Sequence, residues 1–347
     1  MRRPRLTGTD YDRWLWAGVG TAAALAAGGL IETAHMRRIT RDPEKEVLDD
    51  PPKGRERRVV SADETALHVE VFGPEEAPTV VLAHGWTEAI HYWVYVIRAM
   101  TERGFRVVTY DQRGHGDSEP AHGGDYSIDR FGEDLEAVLG ECVPDGRRAV
   151  VVGHSLGAMS IAAWAEHHDV ERRVRAAALL STGVGDLIAE HLLLPLPSIA
   201  NAVNRGISLY GFLGNRTPLP RFSTPLSYAA VRYIAFGRHA SPAQVAYFER
   251  MLVTCPPDVR AQVGIAMSEM ELHDAVPRLT VPTTVIVGAQ DRLTPPSHAR
   301  RIGEKLPHLE KLIVLPETGH MTPLERPDEV TAALVELAAL TAERVAV

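Results

Sequence analysis

Eight short runs rich in valine, leucine and isoleucine, at 57–62, 66–72, 79–83, 106–110, 148–153, 175–181, 283–288 and 311–316, limit what this chain can become. The later ones, such as TVVLA, RAVVVG and TTVIVG, are apolar without alternation, so strands built from them have no face to give to water. Parallel strands covered on both sides meet that demand, and parallel pairing requires crossover connections. Helical spacing fills the intervals. Ile128, Phe131, Leu135 and Val138 recur at i, i+3, i+7 and i+10 behind Ser127, a suitable N-cap. The first two runs, joined by Asp63, Glu64 and Thr65, read as a hairpin. An α/β layered architecture follows, with a mostly parallel central sheet flanked by helices.

One interval is too long for a simple crossover. About a hundred residues separate the sixth run from the seventh, where an αβ connection needs one helix and a few more. The excess reads as an inserted, mostly helical cap over 186–275, between core segments 57–185 and 276–347. It contains EHLLLPLPSIANAV, PLSYAAVRYIAF and SPAQVAYFERMLV, the last opening with Ser241 as cap and Pro242 in the first turn. An apolar stretch of this kind needs something to fold over. The 347 residues suffice for one large core with such an insertion.

Residues 1–56 differ in composition from the rest. Trp14 to Ile31, WLWAGVGTAAALAAGGLI, carries no charge and is bracketed by Arg2, Arg3, Arg5 and Arg13 on one side and Arg37, Arg38 and Arg41 on the other. As a helix it would measure about 27 Å, just short of a hydrocarbon core of about 30 Å. It reads as a membrane anchor followed by a charged linker, which makes the expected location membrane-associated. Arginines at both ends leave the orientation open. The 37 basic and 45 acidic residues give a net charge of −8, which argues against nucleic-acid partners. Cys142 and Cys255 are the only cysteines, which supports neither a disulfide framework nor a structural zinc site.

The fifth run ends in GHSLG, Gly153 to Gly157, and an alanine-rich helical pattern follows. A serine in G-x-S-x-G between strand and helix fits a sharp turn that lifts its hydroxyl above the sheet. That hydroxyl is a weak nucleophile unless a base takes its proton and an acid holds the base in the right tautomer. Among 15 histidines, His320 follows the last run directly, and Asp291 follows the one before it. Loops after the carboxyl ends of strands converge on one crevice. The chain order Ser155, Asp291, His320 favours Asp291 as the acid, with Asp186, after the sixth run, as the alternative that could reach the same histidine.

With these residues in place the chain, over roughly 57–340, resembles the α/β-hydrolase family, especially its capped lipase and esterase-like members. HGW (84–86) and YDQRGHGDS (110–118) add to the likeness. The resemblance implies an α/β-hydrolase fold and Ser155, Asp291 and His320 as the reacting group. It implies oxyanion donors from the backbone N–H groups of Trp86 and Leu156, and a loop-shaping role for His84, Asp111 and His115. No metal or organic cofactor is implied. Family branches that open epoxides or remove halides place an aspartate where this chain has Ser155. The expected activity is hydrolysis of a small-molecule carboxylic ester through an acyl-enzyme, with Leu192, Leu193, Leu194 and Leu196 of the cap favouring an apolar acyl or alkyl group. A thioesterase, a carbon-carbon bond hydrolase or a cofactor-free perhydrolase would use the same residues; a non-catalytic ligand-binding relative is the alternative of another class, and the presence of all three residues argues against it.

Overall fold

The computed structural model describes residues 29–30, 32–187, 213–219 and 223–343. Eight strands form one sheet: β1 Arg55–Val60, β2 Ala66–Phe72, β3 Thr79–Ala83, β4 Arg106–Tyr110, β5 Ala149–His154, β6 Val174–Leu180, β7 Thr283–Gly288 and β8 Leu309–Leu315. Their spatial order is β1-β2-β4-β3-β5-β6-β7-β8. β2 is antiparallel to β1 and β4, and the pairs from β4 through to β8 are parallel. The chain steps from β3 to β4 on one side and returns to β5 on the other. The loops leaving β3 and β5 are thereby adjacent at the carboxyl edge, the reversal point where crevices form in such sheets.

Helices cover both faces. Val81, Ala83 and Val151 pack toward α2 (Ile128–Cys142), α3 (Leu156–His167) and α7 (Pro296–Lys305), in a cluster that includes Phe131, Trp164 and Ile302. Their strand neighbours Val80, Leu82, Val150 and Val152 face the opposite way, with Ile97 of α1 (Val94–Glu102) and Leu334 of α8 (Pro327–Glu343). Each buried valine or leucine contributes about 1.5–3 kcal/mol relative to exposure, which is why these strands lack polar alternation. β8 departs from the expectation of two covered faces. It lies at the end of the sheet, and Leu309, Leu312 and Val314 are 36–40% exposed. Ser127 stands at the expected N-cap of α2 with extended backbone, although its hydroxyl makes no capping bond.

Between β6 and β7 lie α4 (Pro225–Ala235), α5 (Pro242–Thr254) and α6 (Pro257–Glu269). α5 begins as its sequence suggests: Ser241 accepts from the Gln244 amide and the Gln244 side chain returns to the Ser241 amide. Leu192, Leu193, Leu194 and Leu196 lie outside the described residues, as does nearly all of Trp14 to Ile31. Among the described residues no helix is long and apolar enough to cross a membrane.

Candidate active site

Ser155 joins β5 to α3 with φ 49° and ψ −113°, a left-handed conformation disfavoured for any residue with a Cβ. Neighbouring groups hold it there. Its N–H donates to Leu180 O at the end of β6 (2.9 Å), and its carbonyl accepts from Ala158 N (3.0 Å), Met159 N (3.1 Å) and Thr182 Oγ1 (2.9 Å). The flanking glycines are needed for contact rather than for φ. A Cβ on Gly157 would stand 2.1 Å from Ala83 O, and one on Gly153 would stand 2.4 Å from Ala158 N.

His320 sits in the loop after β8 and is buried. Its Nδ1 lies 2.8 Å from Asp291 Oδ2, and its backbone N–H donates to Ala235 O at the end of α4 (2.8 Å). Asp291, in the loop after β7, is fixed in turn. Oδ1 accepts from the amides of Leu293 and Thr294, both at 2.9 Å, and Oδ2 accepts from Thr294 Oγ1 at 2.9 Å. With Nδ1–H directed at Asp291, the ring is left with Nε2 as its proton acceptor. The other acid considered, Asp186, is more than half exposed and faces His273 Nε2 at 3.7 Å. The structure therefore places Asp291, and not Asp186, against His320.

Ser155 and His320 line a cavity of about 110 Å³ whose described walls are mostly apolar. Trp86 and Met159 contribute from the core, and Val231, Phe248, Leu252 and Met267 from the helices between β6 and β7. No lysine or arginine lines it among the described residues. Trp86 also anchors these helices to the β3 loop, its indole donating to Arg260 O at the start of α6 (3.0 Å). Leu156 is the first residue of α3, so its N–H has no acceptor within the helix and lies at the positive end of the helix dipole. The arrangement can deprotonate a hydroxyl, keep the reacting atoms away from bulk water and offer amides to developing negative charge.

His84 and Asp111 sit in the places given to loop-shaping residues. His84 Nδ1 contacts Gly85 O (2.8 Å) and its Nε2 accepts from Gln112 N (3.0 Å), and burial lowers its pKa. Asp111 accepts from Ile90 N (2.8 Å) and Asp117 N (3.0 Å), and contacts His68 Nδ1 (3.0 Å). His115 is fully buried, with Nδ1 3.0 Å from Arg113 O. Sequence reasoning missed Thr294, Glu88 and His154. Thr294 had a local signal, an aspartate followed three residues later by a threonine in DRLT, the spacing of a side-chain-closed turn.

A strand-to-helix serine turn at the carboxyl edge of a mostly parallel sheet, with a buried histidine from the last strand's loop, is the architecture of the α/β-hydrolase fold class. The chain belongs to the alpha/beta hydrolase fold family, whose model matches residues 78–327. It is 28% identical over 300 residues to a probable oxidoreductase, EphD, of Mycobacterium tuberculosis, a match covering 82% of this chain and 49% of that protein. The chain thus spans about half the length of that relative. It is 26% identical over 327 residues to epoxide hydrolase A of the same species, covering 80% of this chain and 96% of the relative. Among solved structures, a thermophilic esterase from Thermogutta terrifontis shares the fold, with a TM-score of 0.66 at 22% identity over 83% of this chain and 99% of the other.

Proposed function

We propose that the protein is a serine hydrolase that cleaves a carboxylic ester with an apolar acyl or alkyl group. The observation that carries this reading is Ser155 on its left-handed turn, opening into the same cavity as a His320 whose Nδ1 is held by Asp291. His320 Nε2 takes the Ser155 proton as Oγ attacks the acyl carbon. The amides of Trp86 and Leu156 bind the oxyanion. His320 returns the proton to the departing alkoxide, leaving an acyl ester on Ser155. It then takes a proton from water, which attacks that ester, releases the acid and restores the hydroxyl. A serine at this turn also speaks against epoxide opening, despite the likeness to epoxide hydrolase A. Attack of Oγ on an epoxide would leave an ether, which water does not cleave under these conditions. The described walls are mostly apolar, hold no lysine or arginine and include Glu88, which suits an uncharged substrate over an anionic one.

Labelling by a fluorophosphonate probe tests the reading: wild type should label and Ser155→Ala should not. A panel of p-nitrophenyl esters and acyl-CoA thioesters then separates ester from thioester hydrolysis. No labelling of wild type would overturn the nucleophile assignment and favour a ligand-binding role. We further propose that Trp14 to Ile31 anchors the protein to a membrane, supported by its uncharged length and flanking arginines and tryptophans. Full-length protein should fractionate with membranes, and a chain lacking residues 1–40 should be soluble and active. Full-length protein that is soluble without detergent would refute the anchor.

A further inference from the structure

Beside the reacting groups, with Glu88 on the wall of the same cavity, lies a buried pair that the mechanism above does not use. The Glu88 side chain, 1% exposed, accepts from Gly85 N–H at 2.5 Å and faces His154 Nδ1, with Oε1 at 3.0 Å and Oε2 at 3.2 Å. The other ring nitrogen, His154 Nε2, lies 3.0 Å from the backbone carbonyl of His320. Three site elements meet at this ring. Glu88 belongs to the β3 loop that carries Trp86, His154 immediately precedes Ser155, and the carbonyl belongs to His320 itself. The fit is close enough to dictate a neighbouring residue: a Cβ on Gly85 would stand 2.8 Å from both Glu88 Oε1 and His154 Nδ1.

The acceptors determine the charge on the ring. A backbone carbonyl has no proton to give, so Nε2 must donate. On the other side a carboxylate already accepting from Gly85 asks Nδ1 to donate as well. A neutral imidazole can meet only one of these demands. We propose that His154 is an imidazolium paired with the Glu88 carboxylate, and that the two are positioning residues, fixing the β3 loop amides and the His320 loop relative to Ser155. This rests on the serine-hydrolase reading for its catalytic consequence.

The loop that the pair restrains is strained. Thr87, between Trp86 and Glu88, has φ 64° and is buried. A threonine in the left-handed region persists only where its surroundings enforce it, and the Glu88–Gly85 bond closes the turn around it. The other titratable groups facing the ring are Tyr92, with rings 4.7 Å apart, the His320 ring at 5.0 Å, and more distantly His84 and Asp291. Burial alone would pull the ring's pKa down. The Glu88 carboxylate outweighs it and holds His154 above the ordinary histidine value. Glu88 lines the same cavity as Ser155, and the positive charge on His154 offsets a carboxylate that would otherwise oppose an oxyanion forming there.

The decisive measurement is nitrogen-15 NMR of the histidine rings in the full-length protein, in detergent if it is membrane-bound. His154 is assigned through bonds and checked by the loss of its signals in His154→Gln. Both ring nitrogens should remain protonated at pH 7.5 in wild type, and one should lose its proton in Glu88→Gln. With a p-nitrophenyl ester, Glu88→Gln should lose about 10- to 100-fold in kcat, the scale of an ångström-level misplacement, with KM nearly unchanged. Glu88→Asp, which restores the charge, should recover part of that loss. Where Glu88→Gln does not fold, His154→Gln provides the kinetic readout with the same expectation. A singly protonated His154 in wild type, or a folded Glu88→Gln with wild-type kcat, would overturn the proposal. The ring spectrum needs no turnover. A doubly protonated His154 in a protein that neither labels with fluorophosphonate nor hydrolyses esters would therefore refute the serine-hydrolase reading and leave the ion pair standing.

Discussion

In the proposed mechanism Ser155 and His320 handle one proton between them, so neither is useful without the other. Ser155→Ala and His320→Ala should each abolish ester hydrolysis with little change in folding, and the double variant should be no worse than the poorer single one. Steady-state kinetics on the three proteins checks this, and additive losses would mean that the residues act in separate steps. Asp291→Asn should leave the ring in the wrong tautomer and cost on the order of 10⁴ in kcat, by analogy with the same change in a serine protease. Asp186→Asn, on the exposed carboxylate facing His273, should be near normal. The opposite pattern would reassign the acid. At this scale the sequence was informative where chemistry is local. Ser155 declares itself through its two glycines, and Asp291 and His320 through their places after successive strands. Chain order favours Asp291 over Asp186, but both follow a strand and only the folded distances decide between them.

The serine turn as an element depends on close backbone approach as much as on the hydroxyl. Gly157→Ala would drive a Cβ into Ala83 O and force α3 away from β3, at a cost of about 3 kcal/mol or more. Gly140 makes a useful contrast. It is exposed near the end of α2, and the nearest atom to an added Cβ is the flexible tip of Arg173 at 3.7 Å. Gly140→Ala should stabilise by about 0.5 kcal/mol, because it restricts the unfolded chain without a clash. Urea denaturation of both variants reads the difference directly. All eight strands were legible to within one or two residues, since unbroken apolar runs have few other uses. The exposure of β8 was not legible, because KLIVLP resembles an interior strand and only the spatial order puts it at an edge. The Glu88–His154 pair was hidden for a related reason: its partners are 66 residues apart and meet only because β3 and β5 are neighbours.

The stability of the whole molecule carries a pH signature from Glu325. Burial pushes its carboxyl up to about 7, although the amides of Gly319 and Gly237 donate to it. In the unfolded chain the group titrates near 4.5, so between these values the folded protein holds a proton that the unfolded chain has released. Stability therefore falls as pH rises from about 4.5 to 7, and the full penalty, on the order of 3 kcal/mol, is present above 7. Glu325→Gln removes this dependence. Wild type should lose ground to it across that window in denaturant titrations, and parallel curves would refute the shift. The 49° φ at Ser155 has a further consequence, for durability rather than turnover. Only glycine occupies such a backbone freely, and the strain costs about 1–3 kcal/mol, of which a glycine would return part after its own entropic cost. A lineage released from selection for turnover should drift toward glycine at 155 and gain heat resistance as it loses activity. Ser155→Gly should accordingly melt above wild type, and under the proposed function hydrolysis and longevity would be competing demands on a single residue.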